Sequence, residues 1–151
     1  IRDSVDSVSS AVADAQFIIT SLPSDQELVA VAKAALVAVG QEAIWIDHST
    51  TSAKIARETG TEISAVGGHF LDGPVSGGVD GARRGTLSVM VGGDENAFVQ
   101  AEPLIGTYAS RVRHMGPSGA GQLTKMTNQI CVVGLCQALA EGLDFASPCG
   151  A

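Results

Sequence analysis

Phe17-Ile18-Ile19-Thr20-Ser21-Leu22-Pro23-Ser24-Asp25-Gln26-Glu27 reads as a strand, a stop and a helix start. Residues 17–22 are apolar or β-branched except for Ser21, as expected of a strand buried on both faces of a sheet. Pro23 removes a backbone donor and ends the run. Ser24-x-x-Glu27 is a capping box, whose two side chains satisfy free N–H groups at a helix start. Leu28, Val31, Ala32, Ala35, Leu36 and Val39 then recur at helical spacing, with Gly40 as the closing residue.

The alternation continues outward. Upstream, the chain opens on a polar, helix-like stretch. Downstream, residues 44–47 form a second short strand. Ser49, Thr50, Thr51 and Ser52 offer caps for a helix through Ile55 and Glu58, closed by Gly60. Residues 69–72 form a third strand. Strands alternating with helices imply an α/β fold, with a parallel sheet and helices on its faces. Nine of the 18 glycines then fall between Gly67 and Gly93. Residues 87–91 alternate as a strand. Asp94 caps a helix to about Ile105, which Pro103 is expected to break or kink, and residues 112–115 are a last strand. After the turn of residues 116–121, only Gly134 and Gly142 interrupt a helical run to about Ala146. Its apolar residues spread round more than one face, which suits a helix buried on several sides or lying between two domains or subunits.

The 151 residues are 45% hydrophobic and 17% charged, as in a globular protein with a sizeable core. No uninterrupted apolar run has the length of a membrane span and no basic segment precedes an apolar one at the start, so neither a membrane helix nor a signal peptide is expected. Ile1 in place of methionine suggests further sequence upstream. The net charge is −7 and basic residues are scattered, with Arg83-Arg84 as the one pair, placed in a loop; no nucleic-acid partner is expected. Cys131, Cys136 and Cys149 match neither zinc nor redox spacing and point to reduced thiols in the cytoplasm. His48, His69 and His114 lie far apart beside apolar runs, as packed or hydrogen-bonded residues do, and no metal site is expected.

Two stretches carry chemistry. In Asp72-Gly73-Pro74-Val75-Ser76-Gly77-Gly78, two glycines let the backbone approach a ligand closely. Successive N–H groups there can cradle an anion, to which Ser76 adds a hydroxyl; a substrate carboxylate is a natural guest, although many glycine-rich turns bind nothing. In Gly119-Ala120-Gly121-Gln122-Leu123-Thr124-Lys125-Met126-Thr127-Asn128-Gln129, Lys125 and Asn128 share a helix face. Lys125 is the only lysine after Lys54 and sits in an apolar helix, which sets it apart from an ordinary solvated lysine.

Together these stretches resemble the hallmark motifs of the β-hydroxyacid dehydrogenases, a family that includes 3-hydroxyisobutyrate dehydrogenase and tartronate semialdehyde reductase and is related to 6-phosphogluconate dehydrogenase. Residues 72–78 look like its substrate-binding motif, and Gly119-x-Gly121-x-x-x-Lys125 followed by Asn128 like its catalytic motif. Residues 85–93 are similar to the stretch that follows the first motif. Leu22-Pro23 and Ser49-Thr50 resemble cofactor contacts at the ends of successive strands. The resemblance covers nearly the whole chain. It implies the C-terminal part of a Rossmann-like nucleotide-binding domain (residues 1–117), followed by the first long helix of an all-α domain (residues 118–151). The Gly-x-Gly-x-x-Gly loop that holds the cofactor pyrophosphate is not in these residues.

The resemblance also implies hydride transfer between NAD or NADP and a short 3-hydroxy acid or its semialdehyde. Lys125 would be the proton donor and acceptor. Asn128 would orient the substrate or the lysine, although the family places this amide three or four residues after the lysine, so Gln129 competes. Ser76, Gly77 and Gly78 would hold the substrate carboxylate, and Leu22, Pro23 and Thr50 the cofactor. A homo-oligomeric full-length enzyme is implied, with these residues alone inactive. The alternatives are a non-catalytic nicotinamide-binding or interaction module of the same fold, or a 6-phosphogluconate dehydrogenase-like enzyme; Lys125 beside Asn128 argues against the module.

Overall fold

The computed structural model describes residues 5–147, so Ile1 and Cys149 lie outside the described residues. In chain order the elements are α1 (Val8–Val12), β1 (Phe17–Thr20), α2 (Asp25–Ala35), β2 (Ile44–Asp47), α3 (Ala53–Ala65), β3 (His69–Asp72), β4 (Val75–Ser76), α4 (Gly78–Arg84), β5 (Leu87–Gly92), α5 (Glu95–Ile105), β6 (Ala109–Gly116) and α6 (Ala120–Ala146).

Ser24 caps α2 as its sequence suggests, but the reciprocal half of the box is replaced, since Glu27 bonds the Ser24 hydroxyl and not a backbone N–H. Ser24 Oγ accepts from Gln26 N–H at 3.2 Å and donates to the Glu27 carboxylate. The stripe behind it turns Leu28, Ala32 and Ala35 fully inward. β1, β2 and β3 run parallel in register, which puts Ile18, Trp45 and Phe70 in one row facing α1, α2 and α3. Trp45 is fully buried, its ring tilted against Phe70 at a centroid distance of 6.3 Å. Ile44, Ile46 and Leu71 point the other way and join Val89 and Val91 under Phe98, Ala101 and Ile105 of α5. The molecule is thus helix, sheet, helix, with a core on each face of the sheet.

Several expectations are corrected. The sheet is mixed: β5 runs antiparallel to β3 and β4, and β6 parallel to β5. β1 pairs only with β2 among the described residues, and Ile19 is half exposed, so this strand is not buried on both faces. α2 ends at Ala35, short of Gly40. α3 runs through Gly60 to Ala65, because that glycine lies where the helix presses on Phe70 and Ser118. α5 continues through Pro103 to Ile105, held by the buried row Phe98, Ala101 and Ile105. Arg83 and Arg84 occupy the last turn of α4, not a loop, where guanidinium groups complement the free carbonyls of a helix end.

The long helix departs most from its expected setting. Only Gly121 and Gln122 of α6 are buried, and its apolar residues from Leu123 onward face outward, so it is not buried on several sides within this chain. By length and composition alone, its 27 residues are long and apolar enough to cross a membrane. Counting only uninterrupted apolar residues misses this, because Gln, Asn and Thr punctuate the helix. Core helices of water-soluble proteins can be as long and apolar.

Candidate active site

The C-terminal ends of β1, β2 and β3 carry a row of polar residues, Thr20, Asp47 and Asp72, in register across the sheet. Both carboxylates are fully buried, and each is satisfied differently. Asp47 gathers its donors on one oxygen: the Oγ1–H of Thr20 at 2.7 Å, the Oγ–H of Ser49 at 2.6 Å and the N–H of Ser49 at 3.3 Å all reach Oδ1. Its Oδ2 has no partner. Thr20 also accepts the indole N–H of Trp45 at 2.8 Å, and Ser49 Oγ accepts the N–H of Leu22 at 2.8 Å. These bonds tie the Leu22-Pro23 stop to the loop that carries Thr50. Burial pushes the Asp47 carboxyl above its ordinary range, against the opposing pull of the Ser49 and Thr20 hydroxyls.

Asp72 instead uses both oxygens to cap α6. Gly119 N–H donates to Oδ1 at 2.7 Å and Gln122 N–H to Oδ2 at 3.0 Å. A helix start has free N–H groups and a partial positive charge, and a carboxylate from another element satisfies both. Burial still raises the Asp72 carboxyl above its ordinary range, the N–H donors offsetting part of the effect. Gly121 explains why the helix can come this close: a Cβ there would run into the carbonyl oxygens of Asp72 and Met90. The second glycine of the Gly119-x-Gly121 turn is therefore a packing requirement at the crossing of α6 over β3 and β5.

Gln122 completes the frame. Its side chain, fully buried, accepts Thr51 N–H at 3.1 Å and donates to Ser49 C=O at 2.8 Å. His48 joins the same loop to Gly73 C=O at 2.6 Å, and to Tyr108 Oη between α5 and β6 at 2.8 Å. Burial lowers the His48 pKa and raises that of Tyr108 to about 12, so the neutral pair has Nδ1–H donating to Gly73 and Nε2 accepting from Tyr108. The other two histidines are hydrogen-bonded as well, His114 to Gly93 C=O and His69 to Glu42.

The candidate residues hang on this framework. Leu22 is half-buried, and Pro23 and Thr50 are exposed on the rim that Ser49 joins. Ser76, half-buried, pairs with Ser88 on β5, the strand that α6 crosses two residues further on at Met90. Gly77 and Gly78 have φ of +130° and +61° and lead into α4, whose first turn has no side-chain cap. Its N–H groups are therefore left for another acceptor. Lys125 and Asn128 are half-buried on one face of α6, whereas Gln129 is exposed. A cleft of about 580 Å³ beside Arg57, Ser64 and Ser118 contains none of the candidates. Exposed Pro23 and Thr50 beside half-buried Leu22, at the ends of parallel strands, fit the edge of a dinucleotide site.

Sequence reasoning missed Asp47, Asp72 as a cap, and Gln122. Asp72 and Gln122 stood inside the quoted motifs, but their partners lie 47 and more positions away, beyond the reach of any local signal. Among the described residues no three His, Cys, Asp or Glu side chains cluster for a metal ion.

Residues 2–116 match the model of the NAD binding domain of 6-phosphogluconate dehydrogenase. The mitochondrial 3-hydroxyisobutyrate dehydrogenase of Rattus norvegicus is 37% identical over 153 residues, covering 94% of this chain and 46% of the relative. The 2-hydroxy-3-oxopropionate reductase of Escherichia coli K12 is 42% identical over 106 residues, covering 70% and 36% respectively. A solved structure of Mycobacterium tuberculosis 3-hydroxyisobutyrate dehydrogenase with L-serine superposes with a TM-score of 0.94 at 37% identity, covering 97% of this chain and 50% of that one. The chain thus spans about half, or less, of the length of these proteins. With a Rossmann-like sheet of the NAD(P)-binding type and a long C-terminal helix, the chain belongs to the β-hydroxyacid dehydrogenase family.

Proposed function

We propose that the whole protein transfers hydride between NAD or NADP and a short 3-hydroxy acid or its semialdehyde, of the 3-hydroxyisobutyrate or tartronate semialdehyde type. The observation that carries this is the capping of α6 by Asp72, which fixes the helix bearing Lys125 to the strand that leads into Ser76, Gly77 and Gly78. The names of the rat, Escherichia coli and Mycobacterium tuberculosis relatives support the substrate class.

The N–H groups at Gly77 and Gly78 and the Ser76 hydroxyl hold the substrate carboxylate. Lys125 donates a proton to the substrate oxygen as the carbonyl is reduced, and takes it back in the oxidation direction. Asn128, half-buried on the lysine's face, orients the substrate or the ammonium; exposed Gln129 is less suited. Leu22, Pro23 and Thr50 contact the cofactor, which when bound supplies or accepts the hydride. Residues 1–117 belong to the nucleotide domain and 118–151 open a helical domain. The outward apolar face of α6 serves as a contact between domains or between subunits of a homo-oligomer. The pyrophosphate loop is not among these residues, and we expect this stretch alone to turn over nothing. For location we propose the cytoplasm, on the reduced thiols; the rat relative is mitochondrial by name.

The test is turnover of 3-hydroxyisobutyrate, glycerate, 4-hydroxybutyrate and 6-phosphogluconate by the full-length protein with both nicotinamides. Lys125→Ala should lower kcat by about 10²- to 10⁴-fold, the usual worth of a positioned acid–base group, with cofactor affinity little changed. Ser76→Ala should chiefly raise KM, by about tenfold for one bond to a charged group. A Lys125→Ala enzyme that keeps most of its turnover would remove the lysine from the chemistry. Cofactor binding without turnover of any substrate would favour the non-catalytic module.

A further inference from the structure

We infer that Gln122 is a positioning residue that holds the Thr50 loop and the Lys125 helix as one body, so that the cofactor rim and the proton-transfer group keep a fixed relation. The inference rests on the function proposed above for its meaning, and on separate observations for its geometry. Gln122 is fully buried in the first turn of α6. Its carbonyl accepts from Thr51 and its amide donates to Ser49, so it bonds the residues on either side of Thr50. Thr50 itself is left exposed, between two buried neighbours. The backbone N–H of Gln122 meanwhile reaches Asp72 at the end of β3. One residue therefore joins the β2–α3 loop, β3 and α6, one helical turn before Lys125.

The chemistry is specific to an amide. Ser49 C=O needs a donor and Thr51 N–H needs an acceptor, and only a carboxamide or a protonated carboxylic acid presents both at that separation. A carboxylate would face Ser49 C=O with no proton to give. Gln122→Glu is therefore a switchable substitute: protonated it rebuilds both bonds, ionised it breaks one and adds a charge to a buried site. A buried glutamic acid titrates well above its ordinary range, which brings this change into the accessible pH window. The titratable and charged groups on elements packed around the site are Asp47 on β2 with His48 just after it, His69 and Asp72 on β3, Lys54, Arg57, Glu58 and Glu62 on α3, Arg111, Arg113 and His114 on β6, and Lys125 on the near half of α6 itself. All are present in the unsubstituted enzyme, so comparing the two curves isolates the glutamate.

The experiment measures NADH and NADPH dissociation constants, and kcat with 3-hydroxyisobutyrate, from pH 5.5 to 9 for the full-length enzyme, Gln122→Glu and the similarly shaped but apolar Gln122→Met. The expected result is a Gln122→Glu enzyme near the unsubstituted one at pH 5.5. It should lose about tenfold or more in both cofactor affinity and kcat by pH 9, relative to the unsubstituted enzyme, while Gln122→Met is impaired at every pH. Should Gln122→Met not fold, Gln122→Glu at low pH still carries the test, since it keeps both bonds. A Gln122→Glu curve that superposes on the unsubstituted one, or that is displaced equally at all pH values, overturns the inference. So does a loss confined to thermal stability, or to cofactor affinity with kcat unmoved. If the unsubstituted enzyme turns over no tested acid, the proposed function fails separately, and the binding curves still decide whether Gln122 holds the Thr50 loop.

Discussion

Asp47 and Asp72 are paired across adjacent strands, both buried, yet a change from acid to amide should affect them oppositely. Asp47 uses Oδ1 alone, and its unpartnered Oδ2 can become an amide nitrogen without losing a bond. Asp72 accepts an N–H on each oxygen, so an amide must present a donor to a donor. Asp72→Asn should cost about 1–3 kcal/mol, as expected for a buried donor left unsatisfied. Burial raises both carboxyls, so substituting Asp47 alone shows its share of the pH dependence. Burial raises the Asp47 pKa above 3.8, so the fold favours its protonated form. The stability that this contributes is fully present below the unfolded value of about 3.9 and is lost as pH rises through the raised folded value. Asp47→Asn cannot ionise, and should flatten the fall in unfolding free energy as pH rises above about 4, measured by urea titration. An unchanged slope would mean that Asp47 is not the group responsible.

At the scale of elements, α6 contains two glycines whose replacement by alanine should act in opposite directions. Gly121→Ala forces a methyl group against two backbone carbonyls that cannot move aside, and should destabilise by several kcal/mol or prevent folding. Gly134→Ala meets nothing within 4 Å, and should stabilise by about 0.5–1 kcal/mol through helix propensity. Thermal unfolding of the two variants reads both effects, and equal shifts would contradict the described crossing. The elements legible in the sequence were those set by local rules. The Ser24 cap, the buried run of β2 and the Asp94 cap (2.9 Å to Ala97 N–H) all form where local pattern places them. What stayed hidden depends on long-range partners. Gly60 reads as a helix end by itself, and its reason for being small is Phe70 and Ser118. The antiparallel turn of β5 is invisible because Leu87–Gly92 alternates in the same way in either direction. The candidate residues lie in motifs legible in the sequence, whereas the framing role of Asp47, Asp72 and Gln122 shows only in the fold.

On the scale of the whole molecule, the exposed apolar residues concentrate on α6, among them Ile130, Leu135, Leu139 and Phe145. Water does not tolerate so long an apolar face on an isolated chain. The 151 residues by themselves should self-associate, and Ile130→Lys with Leu139→Lys should shift sedimentation toward monomer without altering the sheet's circular dichroism. Monomeric behaviour of the unsubstituted chain at micromolar concentration would contradict this.

The fixed start of α6 has a mechanical consequence. Its 27 residues extend about 40 Å at 1.5 Å per residue, and only the first turn is clamped to the sheet. The helix is a lever pivoted at its root. A rotation of about 5° at the pivot carries its far end through roughly 3.5 Å, whereas Lys125, about 8 Å from the fulcrum, travels less than 1 Å. Anything packed against the outer part of α6 would swing over the rim and away again while Lys125 hardly moves.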